Sequence, residues 1–175
     1  MTESTEWARA ALARFEAPLM RYAASIVGPG LAEDVVQDTF LRMCAEDRKK
    51  IEGHLAAWLF TVCRNRALEL RRAERRLQSL DEDTTENVTD SGPMHKLERK
   101  ESLGRITAVM NGLPERQREA LLLKVDGGLS YKEIAEVMNL SVTNVGFILH
   151  SALTKLRSSL REPERAVAWG LERSG

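Results

Sequence analysis

Ser130–Leu160, SYKEIAEVMNLSVTNVGFILHSALTKLRSSL, is the stretch on which the reading of this chain turns. It predicts two helices joined by a short, tight turn. Ser130 suits the N-cap of the first helix, and Glu133, three residues on, is spaced to reach back to the freed amide, as in a capping box. Ala135, Val137 and Leu140 fall where that helix and the turn must pack on the second. Ser141 is a second N-cap. Val142, Val145, Leu149, Ala152, Leu153, Leu156 and Leu160 then keep the i, i+3, i+4 rhythm of a buried stripe. Many proteins present a helix to the major groove of DNA through such a pair, but ordinary helical hairpins share the pattern. The segment alone allows both readings.

The remaining sequence narrows the class. With 175 residues the chain can form one ordinary domain or two small ones. A hydrophobic share of 43% beside 30% charged residues fits a soluble helical protein and not a disordered one. No apolar run approaches a membrane span. The N-terminal MTESTEWARAALARF carries early acids and an amphipathic pattern, where a signal peptide would carry bases and then an apolar core. A cytosolic protein is therefore expected. Cys44 and Cys63 lie in apolar helical stripes without a C-x-x-C pair, which predicts two buried, reduced thiols. His54, His95 and His150 have no ligand-like spacing with them, so no metal and no cofactor is expected.

Formal net charge is zero, from 26 basic and 26 acidic residues, which argues against strong non-specific nucleic-acid binding by the isolated chain. The charges are nevertheless segregated. Residues 64–76 hold six arginines against Glu69 and Glu74, and the next charged stretch, Asp81 to Asp90, holds five acids and no base. Two neighbouring segments thus expect different surroundings.

Helix signals dominate, and no alternating strand pattern competes with them. Trp7 to Ile26 carries Ala8, Leu12, Phe15, Leu19, Tyr22 and Ile26 on one stripe and ends at Gly28-Pro29-Gly30. Leu31 to Cys44 follows, with Val35, Val36, Phe40 and Met43 buried. A polar break, Glu46 to Gly53, precedes a long helix over residues 55–77 whose core face contains Leu55, Trp58, Leu59, Val62 and Leu70. Three such helices can bury a modest core. Residues 79–93, SLDEDTTENVTDSGP, read as a flexible acidic tether. Helices resume near Met94 or His95 and run to Met110. Asn111-Gly112 breaks the chain, Pro114 suits the first turn of a helix carrying Ala120, Leu121, Leu122 and Val125, and Gly127-Gly128 stops it. Residues 161–175 form a tail, either a docked terminal helix or partly disordered. The expected architecture is all-α: a helical domain over 1–78, a linker over 79–94, a helix-turn-helix domain over 95–162 and a tail over 163–175.

Three segments, in order, carry a family resemblance. AEDVVQDTFLRM (32–43), HLAAWLFTVCRNRALELRRAERR (54–76) and LPERQREALLLKVDGGLSYKEIAEVMNLSV (113–142) resemble a bacterial RNA polymerase sigma factor of the extracytoplasmic-function type, over nearly the whole chain. Each segment also has a physical reading. Asp34, Gln37 and Asp38 share one helical face away from the core stripe, either a solvated surface or a docking face for a partner helix bearing arginines. The resemblance implies docking on core polymerase, by Asp34, Gln37, Asp38 and Arg42. Arg64, Asn65, Arg66, Arg71, Arg72, Arg75 and Arg76 can meet phosphates, and Asn65 can also hydrogen-bond a base edge. Arg71-Arg72 and Arg75-Arg76 stack four residues apart and repel unless an anion lies alongside or Glu69 and Glu74 relieve them. The resemblance implies contact with the promoter's minus-ten element, and a pocket in the 46–53 loop for one unstacked base. Trp58 could stack on a base, but its place in the apolar stripe favours the core. The acidic tether resembles the family's interdomain linker.

The helix-turn-helix would read the minus-thirty-five element through Ser130, Tyr131, Lys132, Ser141, Thr143, Asn144, Phe147, Ser151 and Lys155. Here the chain departs from the family's usual basic or hydroxyl residues with Gly146-Phe147-Ile148-Leu149-His150. Phe147 lies about 200° around the helix from Val145 and points outward. Asn144 can pair with adenine and Phe147 can touch a thymine methyl group; alternatively Phe147 and Ile148 form a patch for an anti-sigma factor or for polymerase. The resemblance therefore implies a promoter-specificity subunit, not an enzyme, with core RNA polymerase, promoter DNA and an anti-sigma factor as partners and no membrane insertion. No P-loop, nucleophile–base pair or metal cluster competes with that. The rival readings are a dimeric helix-turn-helix regulator, which leaves residues 32–43 and 54–76 unexplained, and a sigma-like adaptor without promoter recognition.

Overall fold

The computed structural model describes residues 3–80 and 99–170, with 99–103 and 162–170 as backbone only. Every regular element among the described residues is helical: α1 (Glu3–Val27), α2 (Pro29–Ala45), α3 (Arg48–Ile51), a 3-10 turn (Glu52–His54), α4 (Leu55–Leu80), α5 (Arg99–Gly112), α6 (Glu115–Val125), α7 (Tyr131–Met138) and α8 (Val142–Gly170). The all-α expectation is met.

The first unit is built on α1, α2 and α4. Phe15, Leu19, Tyr22 and Ala23 bury one face of α1 and hold the helix through Pro18, which donates no backbone hydrogen bond to the preceding turn. Gly28, at φ +80°, turns the chain into α2, where Pro29 occupies the first helical position. Val35, Val36, Phe40 and Met43 are buried as their spacing predicts, joined by Ala32 and by Thr39, whose hydroxyl donates to the Val35 carbonyl at 2.8 Å. Cys44 departs from expectation. Its edge of the α2 stripe opens at the last turn onto a groove beside α1, and the thiol is exposed while Cys63 is buried.

Two other expectations are corrected here. The polar break at 46–53 is a helical corner: Asp47 caps α3 by accepting from the Lys49 amide at 3.1 Å, and Ile51 is buried. The core stripe of α4 is rotated. Ala57, Leu59, Phe60, Cys63 and Ala67 are buried, whereas Leu55, Trp58 and Leu70 are only partly covered. The cause is a second neighbour, since α4 packs on α1 and α2 with one side and on α7 with another. The helix also runs to Leu80, past the expected end. Of the expected 79–94 linker, Ser79 and Leu80 belong to α4, and 81–94 lie outside the described residues.

The second unit packs α5, α6 and α7 on α8. Leu121, Leu123, Leu129, Ile134, Val137, Val145, Leu149 and Ala152 form its interior. Val125, Val142 and Leu160, expected in stripes, are exposed: the first two lie at the end of α6 and the start of α8, and Leu160 lies on the stretch of α8 beyond the packed interior. α5 runs through Asn111 to Gly112, so the expected break comes two residues later, with Pro114 as the N-cap of α6. α8 continues beyond Leu160 to Gly170, so the first part of the tail is helix. The two units share one continuous core, through α1 against α6 and α4 against α7.

Candidate polymerase and nucleic-acid interfaces

The helix-turn-helix is fixed by local chemistry. Ser130 Oγ accepts from the Glu133 amide at 3.2 Å, and the Glu133 carboxylate accepts from the Ser130 amide at 2.8 Å, completing the capping box. Loss of such a cap costs about 1 kcal/mol. Asn139 closes α7 in the left-handed conformation, φ 55° and ψ 51°, which Asn tolerates better than other side-chain-bearing residues. The Leu140 amide then bonds the Ala135 carbonyl at 2.9 Å, and Ser141 Oγ accepts from the Asn144 amide at 3.1 Å. The angle between α7 and α8 is thereby set before any partner arrives.

Of the residues expected to read DNA here, Ser130, Tyr131, Lys132, Ser141, Thr143, Asn144, Phe147 and Lys155 are exposed and Ser151 is half-buried. Both Ser130 and Ser141 use their hydroxyls as caps. Phe147 is 69% exposed, a large value for an aromatic ring, whereas Ile148 packs partly against the core. The structure therefore separates two residues that the sequence paired in one patch.

The α4 arginines divide into two groups. Asn65, Arg72, Arg75 and Arg76 are exposed. Arg64, Arg66 and Arg71 are half-buried and each meets an acid. Arg66 Nε donates to Asp38 at 2.6 Å and its Nη1 lies 3.4 Å from Glu69. Arg64 Nε donates to Glu119 of α6 at 2.5 Å, and Arg71 donates to Glu115, also of α6. Glu119, only 7% exposed, also accepts from the Tyr22 hydroxyl at 2.8 Å. Burial opposes the charge on Arg64, but the hydrogen bond and negative charge of Glu119 more than offset it and raise its pKa. Burial, reinforced by the charge of Glu119, holds the Tyr22 phenol well above its usual value of 10.0. The hydrogen bond from Arg71, aided by the charges of Arg71, Arg75 and Arg118, outweighs desolvation and lowers the pKa of Glu115.

On α2, Asp34, Gln37 and Arg42 are exposed on the outer face, and Asp38 is half-buried by its bond to Arg66. Beside them runs an apolar groove of about 470 Å³ between α1 and α2, lined among others by Leu12, Val36, Gln37, Phe40, Leu41 and Cys44. A second groove, of about 410 Å³, lies under the 52–56 corner, with Trp7, Arg14, Phe15, Gly53, His54 and, from α7, Glu133 on its walls. Sequence reasoning missed Glu115, Glu119 and Tyr22 as functional neighbours of the arginines. The available signal was Glu119 itself, a charged residue abutting the Ala120-Leu121-Leu122 stripe. Among the described residues no group of His, Cys, Asp and Glu could hold a metal, and no helix is long and apolar enough to cross a membrane.

Comparison with known proteins gives the same assignment from two directions. Residues 12–77 match the family Sigma-70 region 2, and residues 103–156 match Sigma-70, region 4. The chain is 33% identical over 132 residues to the ECF RNA polymerase sigma factor SigM of Bacillus subtilis (strain 168), spanning 73% of this chain and 78% of that one. It is 32% identical over 146 residues to the ECF RNA polymerase sigma factor EcfG of Rhodopseudomonas palustris (strain TIE-1), spanning 81% and 78%. Its backbone resembles that of the sigma factor RpoE of Bartonella quintana, solved in complex with the anti-sigma factor NepR. The TM-score is 0.66 at 26% identity, covering 89% of this chain and 97% of that one. With both regions in order and relatives a third identical over most of their length, the chain belongs to the extracytoplasmic-function sigma factors of the sigma-70 superfamily, which bind core RNA polymerase and direct promoter-specific transcription initiation.

Proposed function

We propose that this sigma factor divides its work among three surfaces: the outer face of α2 for core polymerase, α4 for the minus-ten element, and the α7–α8 motif for the minus-thirty-five element. The observation that carries this reading is the placement of α4 and α8. Each is a long helix fixed on a packed scaffold, and each turns polar residues away from the core.

Asp34, Gln37 and Arg42 form the centre of the docking face, and the groove beside Gln37 gives a partner helix apolar area to bury. Asp38 contributes once Arg66 is drawn to DNA. On α4, Arg64, Arg66, Arg71, Arg72, Arg75 and Arg76 bind phosphates and Asn65 reads a base edge. Unstacking one base costs a few kcal/mol, and the aromatic-walled groove under the 52–56 corner, with Arg14 and His54 on its rim, supplies compensating contacts. On α8, Asn144 and Phe147 read bases, the ring against a thymine methyl group; Thr143 and Ser151 flank them. Lys155, with Tyr131 and Lys132 of α7 and the cap residues Ser130 and Ser141, meets the backbone.

The functional units are a region 2 domain over 1–78 and a region 4 domain over 95–162, joined by the acidic 79–94 linker and followed by the 163–175 tail. The protein acts in the cytoplasm, where polymerase and promoter are, and has no enzymatic activity of its own. The solved complex of the RpoE relative supports an anti-sigma factor as a further partner. The test is run-off transcription with core polymerase and genomic templates. A promoter-specific transcript that depends on this chain is expected; tight, specific duplex binding by the chain alone, with no transcript, would favour the regulator reading.

A further inference from the structure

We propose that the bare backbone at Gly146, walled by the ring of Tyr131 and flanked by that of Phe147, seats the 5-methyl group of a thymine. The motif then reads the methyl group itself and not only the hydrogen-bonding edge of a base. The inference rests on the reading of α7–α8 as the minus-thirty-five reader and deepens it, adding Gly146 and Tyr131 as specificity-determining residues.

A glycine inside a helix weakens it relative to alanine, so its presence calls for a reason. Gly127 has one within the fold. A Cβ there would lie 2.6 Å from the Leu123 carbonyl oxygen and 3.0 Å from the Phe60 ring, at the seam between the two units. Gly146, the fifth residue of α8, has no such neighbour among the described residues. A Cβ there would meet Cε2 of Tyr131 at 3.9 Å, an ordinary contact, and nothing closer. The missing side chain thus leaves a recess beside an exposed ring, on the helix that the motif turns toward DNA. It does so where the family usually carries a basic or hydroxyl residue. A recess with no internal use fits the close approach of an outside group.

The surroundings say which group. Tyr131 is held from behind: Lys124 Nζ lies 5.5 Å from its ring centroid and donates to the Leu129 carbonyl at 3.1 Å. The ring edge is therefore a fixed wall, and the Tyr131 hydroxyl can still meet the phosphate backbone. Val142, one turn before Gly146, and Phe147, next to it, are exposed apolar side chains. A small apolar recess accepts a methyl group and offers nothing to a polar base edge. The rim points to nucleic acid and not to a protein helix: residues 142–160 carry Lys155 and Arg157 and no acid, and Lys132 stands beside Tyr131. In the major groove the apolar group that a base presents is the thymine 5-methyl. Cytosine methylated at the same carbon presents the same chemistry, and the test separates the two.

The test uses holoenzyme assembled from core polymerase and the full chain, with a promoter duplex that gives a run-off transcript. Each thymine of the upstream element, on either strand, is replaced in turn by deoxyuridine, which removes only the 5-methyl group. At one position the replacement should weaken binding about fourfold, as expected for one buried methyl group. Gly146→Ala fills the recess and favours the helix. It should lower the thymine duplex to the deoxyuridine level, so that the two bind alike. If that variant binds neither duplex, Tyr131→Ala decides: the ratio should fall toward one, and a ratio still near fourfold would overturn the seat. At the sensitive position 5-methylcytosine should bind about fourfold better than cytosine. Equal binding would tie recognition to the thymine carbonyl and overturn a methyl seat. The proposal also fails if no position is sensitive, or if the fourfold ratio survives Gly146→Ala. Scrambling the whole upstream element checks the underlying reading. Unchanged binding there would overturn α7–α8 as the minus-thirty-five reader, whereas a loss on scrambling with no effect of deoxyuridine overturns the methyl seat alone.

Discussion

α4 and α8 are both long helices that the proposed reading sets on DNA, yet their outward faces are built on opposite principles. α4 concentrates charge, and three of its arginines already hold carboxylates from α2, α4 itself and α6. α8 turns out Thr143, Asn144 and the bare ring of Phe147. A charged face attracts any polyanion and gains affinity without selectivity, and on α4 part of that charge is balanced by internal carboxylates. A polar and apolar face has little affinity for backbone phosphate and can stand open, because it gains only where the base edges match. On the proposed reading, the two arms divide affinity from specificity.

The largest expected effect lies on the charged arm. Arg71→Ala/Arg72→Ala should weaken promoter-complex formation by the holoenzyme roughly 10- to 100-fold and lower the salt slope by about 2, since each phosphate contact contributes about 0.9. A slope equal to that of the unmodified protein would place those side chains off the backbone. Next comes Asp38→Arg, which should weaken core-polymerase capture by about tenfold. Because Asp38 also holds Arg66, the swap Asp38→Arg/Arg66→Asp separates the roles. Restored thermal stability with capture still weak assigns Asp38 to docking, and recovery of both would reduce it to an internal pair.

On the uncharged arm the effect is smaller and of a different kind. Phe147→Ala should cost about 1 kcal/mol, near fivefold, on the preferred upstream element and leave the salt slope unaltered. A changed slope, or equal loss on every sequence, would break the distinction between the arms. The smallest effect concerns the seam. Glu115 has its pKa lowered below 4.5 by Arg71, with Arg75 of α4 and Arg118 of α6 also facing it. A depressed folded pKa means that its contribution is complete above the unfolded value and is lost as pH falls through the folded one. Tyr22 works at the other end: its raised pKa makes its contribution complete below 10.0 and lost as pH rises toward the folded value. Thermal melts across pH should show a modest decline at both ends. Glu115→Gln should flatten only the acidic decline, and an unchanged acidic limb would remove Glu115 from the seam.

Much of this arrangement is legible in the sequence where local chemistry decides it. The capping box at Ser130–Glu133, the second cap at Ser141 and the outward position of Phe147 follow from spacing within one or two turns. The α2 stripe is legible for the same reason. What escapes is whatever depends on the meeting of the two units. Phe60 joins the core of α4 because a second unit covers that side, and Glu119 becomes buried only because Tyr22 and Arg64, 97 and 55 residues away, converge on it. Cys44 fails in the other direction, left exposed where α1 and α2 leave a groove between them. The interface arms are thus readable one by one, while the seam between them is a property of the assembled fold.

The central claim is that one chain reads a promoter at two separate elements. Its most direct test is sequencing the DNA recovered with the assembled complex of this protein and core polymerase. The account predicts two sequence blocks at a fixed separation, of which Phe147→Ala blurs only the upstream one. A single block, or two blocks blurred together by that substitution, would contradict it.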